Sequence, residues 1–252
     1  RTCFVAFKKD SSAVAWGYAG HGGDTSSVAA FLASNVVYVA QTFTALAAVR
    51  SDGTLAAWGN AAAGGDASAV QASLQDITLV VGNGYAFAAL SSVGGVVAWG
   101  KVDCGGSIPA DKVDSLANGV VSIQHTDRAF AALKGDGSVV VWGQAGHGGS
   151  PGAAVEALLT SGVHTVCAND AAFSAIKTDG SVVTWGTSGG DSSSVAASIS
   201  SGVVRVFSTQ TAFAALKTDG SVVAWGDNNF GGCISCQAGA AALLTSGVVN
   251  IF

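Results

Sequence analysis

The chain has 252 residues, of which 49% are apolar and only 11% charged, and its net charge is −5. Its 11 basic residues form no run denser than Lys8 with Lys9, which excludes the clustered cations that nucleic-acid binders use against phosphate. Residues 25–49 are uncharged, but Ser34, Asn35, Gln41, Thr42 and Thr44 interrupt them in register with repeats further along, so we read no membrane span there.

In chain order, residues 3–17 (CFVAFKKDSSAVAWG) read as two short β-strands joined by a turn, the second closed by Trp-Gly. The pattern returns at 45–59 (ALAAVRSDGTLAAWG), 86–100 (AFAALSSVGGVVAWG) and 129–143 (AFAALKGDGSVVVWG). Two further copies fill 172–186 (AFSAIKTDGSVVTWG) and 212–226 (AFAALKTDGSVVAWG). Alternating large and small residues around Asp-Gly are a hairpin signal. An apolar run precedes each of the last five copies, at 36–40, 78–82, 120–124, 164–168 and 203–207. The repeat is therefore three antiparallel strands.

Trp16, Trp58, Trp99, Trp142, Trp185 and Trp225 are one position seen six times, spaced 42, 41, 43, 43 and 40 residues apart. A fixed period of this size marks a propeller or solenoid. Phe stands twelve residues before the Trp in five repeats, so the tryptophans are expected in the core between blades rather than as a sugar-stacking set. A Gly-Gly pair follows each Trp-Gly, from Gly22 and Gly23 to Gly231 and Gly232, and predicts a positive-φ turn or a close backbone approach. Behind it Asp24, Asp66, Asp191, Ser107 and Ser150 are N-cap residues for a short crossover helix, an extended crossover being the alternative.

Residues 248–252 (VVNIF) match the first strand at 203–207, Arg1 and Thr2 match Gln210 and Thr211, and Cys3 opens a second strand. The two termini are thus expected to share one blade, which leaves no sheet edge unpaired. The expected fold is all-β: one closed β-propeller domain over 1–252, of about six blades with three to four antiparallel strands each. With neither Met nor a signal-like apolar segment at Arg1, we expect a processed or excised piece, of no assigned compartment.

A Trp-Gly pair closing LKTDGSVVAWG resembles the repeat of the regulator of chromosome condensation family. The compact version in bacterial arrays and in the propeller-type β-lactamase inhibitor protein is the nearest form; Ser- and Ala-rich arrays also resemble those of unicellular algae. The resemblance covers all six repeats. Family members usually have seven blades, so six repeats and the Gly-Gly, Ala/Ser-rich crossover depart from the pattern. The resemblance implies recognition rather than catalysis, as in small-GTPase exchange factors, chromatin binders, enzyme inhibitors and a UV photoreceptor. The chain lacks a basic face for chromatin, and its tryptophans sit one per blade instead of clustering for photosensing.

The Asp-Gly turns are nearly identical, whereas the loops at the opposite ends of the strands differ in every repeat, and variable loops on a rigid scaffold carry binding. Tyr18, Phe43, Tyr85, His125, Asp127, Arg128, Asn228 and Phe230 are the candidate contacts, since aromatics and Arg anchor interfaces. The alternative is that each aromatic packs its own loop. The expected function is a non-enzymatic scaffold for another protein, with a lectin-like glycan binder or a structural component of a large assembly as alternatives. Glu156 is the only glutamate and no paired acid and base assemble, so no enzyme or cofactor is expected. His21 and His147 are equivalent loop residues, His125 lies in a first-strand loop and His164 in a strand, which makes no metal site. Cys233 and Cys236 form a C-x-x-C without the second pair that zinc would want, and read as a local disulfide or as two free thiols.

Overall fold

The structure, a computed structural model, describes residues 2–236 and 239–252. The first repeat gives strands β1 (Cys3–Phe7) and β2 (Ala13–Gly17), followed by the short helix α1 (Ala29–Leu32). The second gives β3 (Val36–Gln41), β4 (Ala45–Arg50) and β5 (Leu55–Gly59), and the third β6 (Ile77–Gly82), β7 (Ala86–Ser91) and β8 (Val96–Gly100). The fourth holds β9 (Val120–His125), β10 (Ala129–Lys134) and β11 (Val139–Gly143), followed by α2 (Ala153–Leu158). Then come β12 (Val163–Ala168), β13 (Ala172–Lys177) and β14 (Val182–Gly186), and β15 (Val203–Ser208), β16 (Ala212–Lys217) and β17 (Val222–Gly226), with α3 (Ala240–Leu243) after them. Five sheets have three strands in sequence order, β1 and β2 form a two-stranded sheet, and neighbouring strands run antiparallel.

The stretch 25–49 is divided among a 3-10 turn, α1, β3 and most of β4, and no helix of the described residues is long and apolar enough to cross a membrane. Expected and observed strands agree within a residue or two because the repeated pattern leaves one register: Phe87 faces Trp99, Phe173 faces Trp185 and Phe213 faces Trp225. Their rings stack at 5.1, 5.3 and 5.6 Å.

By internal contacts the chain divides into two compact units, 1–130 and 131–252. In the first, cores lie between successive sheets: Ala13, Ala15, Leu46 and Trp58 join the first two, while Val49, Leu55, Phe87 and Trp99 join the next two. In the second, Ile176, Val206, Phe213 and Trp225 do the same for the last two. Each such core is clasped by a hydrogen bond from a Trp indole to the preceding Gly-Gly turn: Trp58 to Gly22 O, Trp99 to Gly64 O, Trp185 to Gly148 O and Trp225 to Gly189 O, all at 2.9–3.0 Å. The two glycines of a pair do different work. Gly64 sits at φ +95°, and a Cβ there would meet Phe87 at 2.6 Å; a Cβ on Gly65 would lie 2.5 Å from the Gly59 carbonyl. The first is needed for a left-handed conformation, the second for a close backbone approach.

The crossovers are mostly 3-10 turns, and the first five drop buried apolar anchors, Leu32, Leu74, Leu116, Leu159 and Ile199 among them. Asp24, Asp66 and Asp191 stand one residue outside the N-cap position expected of them. Each accepts the backbone N–H two residues on, from Ser26, Ser68 and Ser193, as an Asx turn.

Sheet closure is not seen among the described residues: 248–252 carry no strand, and the match of Arg1 to Gln210 lies outside them. One expectation is corrected. Trp16 is not core: it is 50% exposed and its ring stacks on Phe4, itself 69% exposed, whereas Trp58, Trp99, Trp142, Trp185 and Trp225 are buried. Within its unit Trp16 belongs to the first repeat, so no preceding Gly-Gly turn of that unit stands beside it to accept the indole N–H.

Candidate functional site

The variable loops are built on one repeated device. In four repeats the residue that leaves the first strand is a buried Thr or Asn, whose side chain accepts the first N–H of the second strand: Thr42 from Ala45, Asn83 from Ala86, Thr126 from Ala129, Asn169 from Ala172; the exposed Thr209 accepts from Ala212 in the same way. The same side chains of Thr42, Asn83 and Asn169 donate to the Trp-Gly loop, to Ala63 O, Cys104 O and Ser188 O. A loop held at both ends in this way presents its next two residues in a fixed place.

The first of these two stitches neighbouring loops together. Phe43 N donates to Gly84 O at 3.1 Å and Gly84 N donates to Asp127 O at 3.0 Å; in the second unit Asp170 N donates to Gln210 O at 3.0 Å. The second residue offers its carbonyl to the residue after Trp-Gly: Lys101 N donates to Tyr85 O at 3.0 Å, and Asn60 N to Thr44 O at 2.9 Å.

In the first unit this brings four large side chains together. Phe43 lies over Gly84, where a Cβ would come within 2.8 Å of its ring, and meets Tyr85 edge to face at 5.4 Å. The Arg128 guanidinium stands 5.1 Å from the Tyr85 ring centre and the Lys101 ammonium 5.3 Å from it. Such cation–π contacts are each worth about 0.5–1 kcal/mol at an exposed site, enough to bias two long side chains toward one place. Phe43 is 51% exposed, Lys101 is exposed, and Tyr85 and Arg128 are half-buried. Near them the buried Cys104 thiol is pushed up by desolvation, an effect opposed by the charges of Lys101 and Arg128 and reinforced by that of Asp103.

Of the sequence candidates, Phe43, Tyr85, Asp127 and Arg128 thus meet in one place, Asp127 through its backbone. His125 is exposed at the end of β9, its Nδ1 3.0 Å from Thr126 O. Tyr18 packs edge-on against His21 in its own loop, and Asn228 and Phe230 lie on a 3-10 turn in the second unit. Cys233 and Cys236 are joined by a disulfide with their Cα atoms 5.4 Å apart. Lys101 and Gly84 were not singled out from the sequence. The signal for Lys101 lay in the repeat: in five repeats the residue after Trp-Gly is bonded to the residue before the second strand, which makes Lys101 and Tyr85 neighbours. Residues 148–152 (GGSPG) also match a nucleophile-elbow pattern. Ser150, however, stands seven residues past the end of β11, beyond a 3-10 turn closed by the left-handed Gly148, so it is not at the sharp strand-to-helix turn that the pattern requires.

The sequence matches no protein-family model and no curated protein. Solved structures share the fold. Prp20p of Saccharomyces cerevisiae, the yeast regulator of chromosome condensation, binds Gsp1p and histones; it superposes with a TM-score of 0.52 at 15% identity, over 89% of this chain and 70% of that one. Human WBSCR16 superposes with a TM-score of 0.54 at 13% identity, over 90% of this chain and 74% of that one. At such identities the likeness is one of fold alone. The sheets of this chain are of the type found in β-propellers like the regulator of chromosome condensation.

Proposed function

We propose that the chain is a non-enzymatic interaction module that binds another protein through the loops around Phe43, Tyr85 and Arg128. The observation that carries this reading is the convergence of two aromatics and two cations from three successive repeats onto one loop cluster, on a backbone already fixed by hydrogen bonds. Side chains held in place before binding lose little freedom on docking, and Tyr and Arg are favoured interface anchors. Prp20p supplies precedent for protein binding on this fold. A sugar-stacking role for the tryptophans finds little room, since five of the six are buried. The test is affinity capture with the wild-type chain and with a Tyr85→Ala, Arg128→Ala variant. A stoichiometric partner held by the first and lost by the second, with unchanged melting, is the expected result; equal retention by both would sink the proposal.

We further infer that the six repeats form one closed ring, with residues 248–252 supplying the third strand beside β1. The likeness of VVNIF to the start of β15 (VVRVF) supports this, as do the exposed Phe4 and Phe7 on the sheet that lacks that strand. Deleting 248–252 and measuring the melting temperature is the test, with the magnitude argued below.

A further inference from the structure

Basic residues are scarce here, and most of those in the repeated Lys position serve the scaffold. Arg50 donates to Phe31 O and Ala30 O, Lys177 to Leu158 O and Lys217 to Ser198 O, each capping the end of the crossover that precedes it. Lys101 and Arg128 are different. They stand where other repeats carry Asn60, Thr187 and Asp227, or Thr44, Ala171 and Thr211, and their side chains donate no hydrogen bond to any described residue. Asp103 and Asp127 are close in sequence, yet neither cation forms an ion pair with a described carboxylate. Two cations are therefore gathered on one tyrosine in a chain of net charge −5, with Asp103 in their neighbourhood but no ion pair to a described carboxylate. Beside them the half-exposed Phe43 ring offers apolar surface.

Building on the interaction reading above, we propose that this cluster docks an acidic segment of a partner protein: a carboxylate settles against Arg128 and Lys101, and an adjoining aromatic or aliphatic side chain lies on Phe43. The guanidinium and ammonium are held by the Tyr85 ring, so a carboxylate meets donors already gathered, and charge-assisted hydrogen bonds are the stronger kind. A nucleic acid fits less well. Two cations neutralise too few phosphates to outweigh the chain's net negative charge, and the edge-to-face ring pair offers no parallel slot for a base.

The probe is a fluorescein-labelled copolymer of Glu and Tyr, followed by anisotropy, with polyglutamate and a single-stranded oligonucleotide of matched charge beside it. The copolymer is expected to bind, more weakly as salt rises. Arg128→Gln should raise its Kd about tenfold and Lys101→Gln severalfold, in line with loss of a charged contact, while Lys9→Gln changes nothing. Phe43→Ala should weaken the copolymer more than polyglutamate. Absence of copolymer binding, indifference to Arg128→Gln and Lys101→Gln, or tighter binding of the oligonucleotide would each overturn the proposal. If the copolymer fails while capture of a partner still depends on Tyr85 and Arg128, the interaction reading stands and only the acidic chemistry falls; if both fail, so does the site.

Discussion

Ser174 sits in β13 with no exposure, and its hydroxyl has no hydrogen-bond partner among the described residues. The same place in other second strands is held by Ala47, Ala88 and Ala131, all fully buried, so the surrounding packing already accepts a methyl group. A buried hydroxyl without a partner is unfavourable by about 1–3 kcal/mol. Ser174→Ala should therefore stabilise the fold by ~1 kcal/mol, raising Tm by roughly 2–4 °C for a chain of this size. A thermal melt checks it, and a lower Tm would show that the hydroxyl is satisfied after all. At this scale the sequence was readable where residue type and repeat position agreed, as for the five buried tryptophans. It was unreadable where a side chain's surroundings depend on which repeat stands next to it. Trp16 carries the same motif as Trp99 but lacks a preceding Gly-Gly turn within its unit, so the motif alone could not foretell its exposure.

The hairpin is the element in which chemistry and shape are most tightly linked. Hydrogen bonds from the Ser12 hydroxyl and backbone hold the Asp10 carboxyl down at about 2, and equivalent bonds from Thr54, Ser138, Ser181 and Ser221 lower Asp52, Asp136, Asp179 and Asp219. A carboxyl depressed in the folded state contributes stability above its unfolded pKa, near ~4. That contribution is lost as the pH falls through the folded value. Melting temperature should thus hold steady down to about pH 4 and fall between there and about pH 2. A variant with Asn at Asp136, Asp179 and Asp219 keeps an acceptor oxygen that does not titrate, and should fall less steeply. Identical slopes for the two proteins would refute this account. The strands and turns were legible because Asp-Gly and the alternating pattern allow one register. The loop cluster was legible only in part: Phe43, Tyr85 and Arg128 were expected to face a partner, but that they touch each other follows from backbone bonds between loops more than forty residues apart, such as Gly84 N to Asp127 O.

For the whole chain, the proposed closure has a measurable size. Completing the sheet would bury Val248 and Ile251 as β15 buries Val203 and Val206. Burying two such side chains is worth about 3–6 kcal/mol, so deleting 248–252 should lower Tm by ~6 °C or more. An unchanged Tm would leave those residues outside the fold. Sequence alone could match VVNIF to a first strand, because likeness between repeats is a local property. It could not settle the pairing, which needs two segments almost the full length of the chain apart to meet.

The clasp of a Trp indole on the carbonyl of the preceding Gly-Gly turn also bears on how such a chain can grow or shrink. Four repeats show it, through Trp58, Trp99, Trp185 and Trp225, each a donor to the neighbour behind. A copied repeat therefore arrives with both halves of the joint it needs, whichever two repeats it falls between. Duplication or loss of one whole period leaves no orphaned indole in the interior, while a change of a few residues within the period breaks two joints at once. Near-constant spacing of 40–43 residues between the tryptophans is what such a rule of inheritance would preserve, leaving the loops as the parts free to diversify.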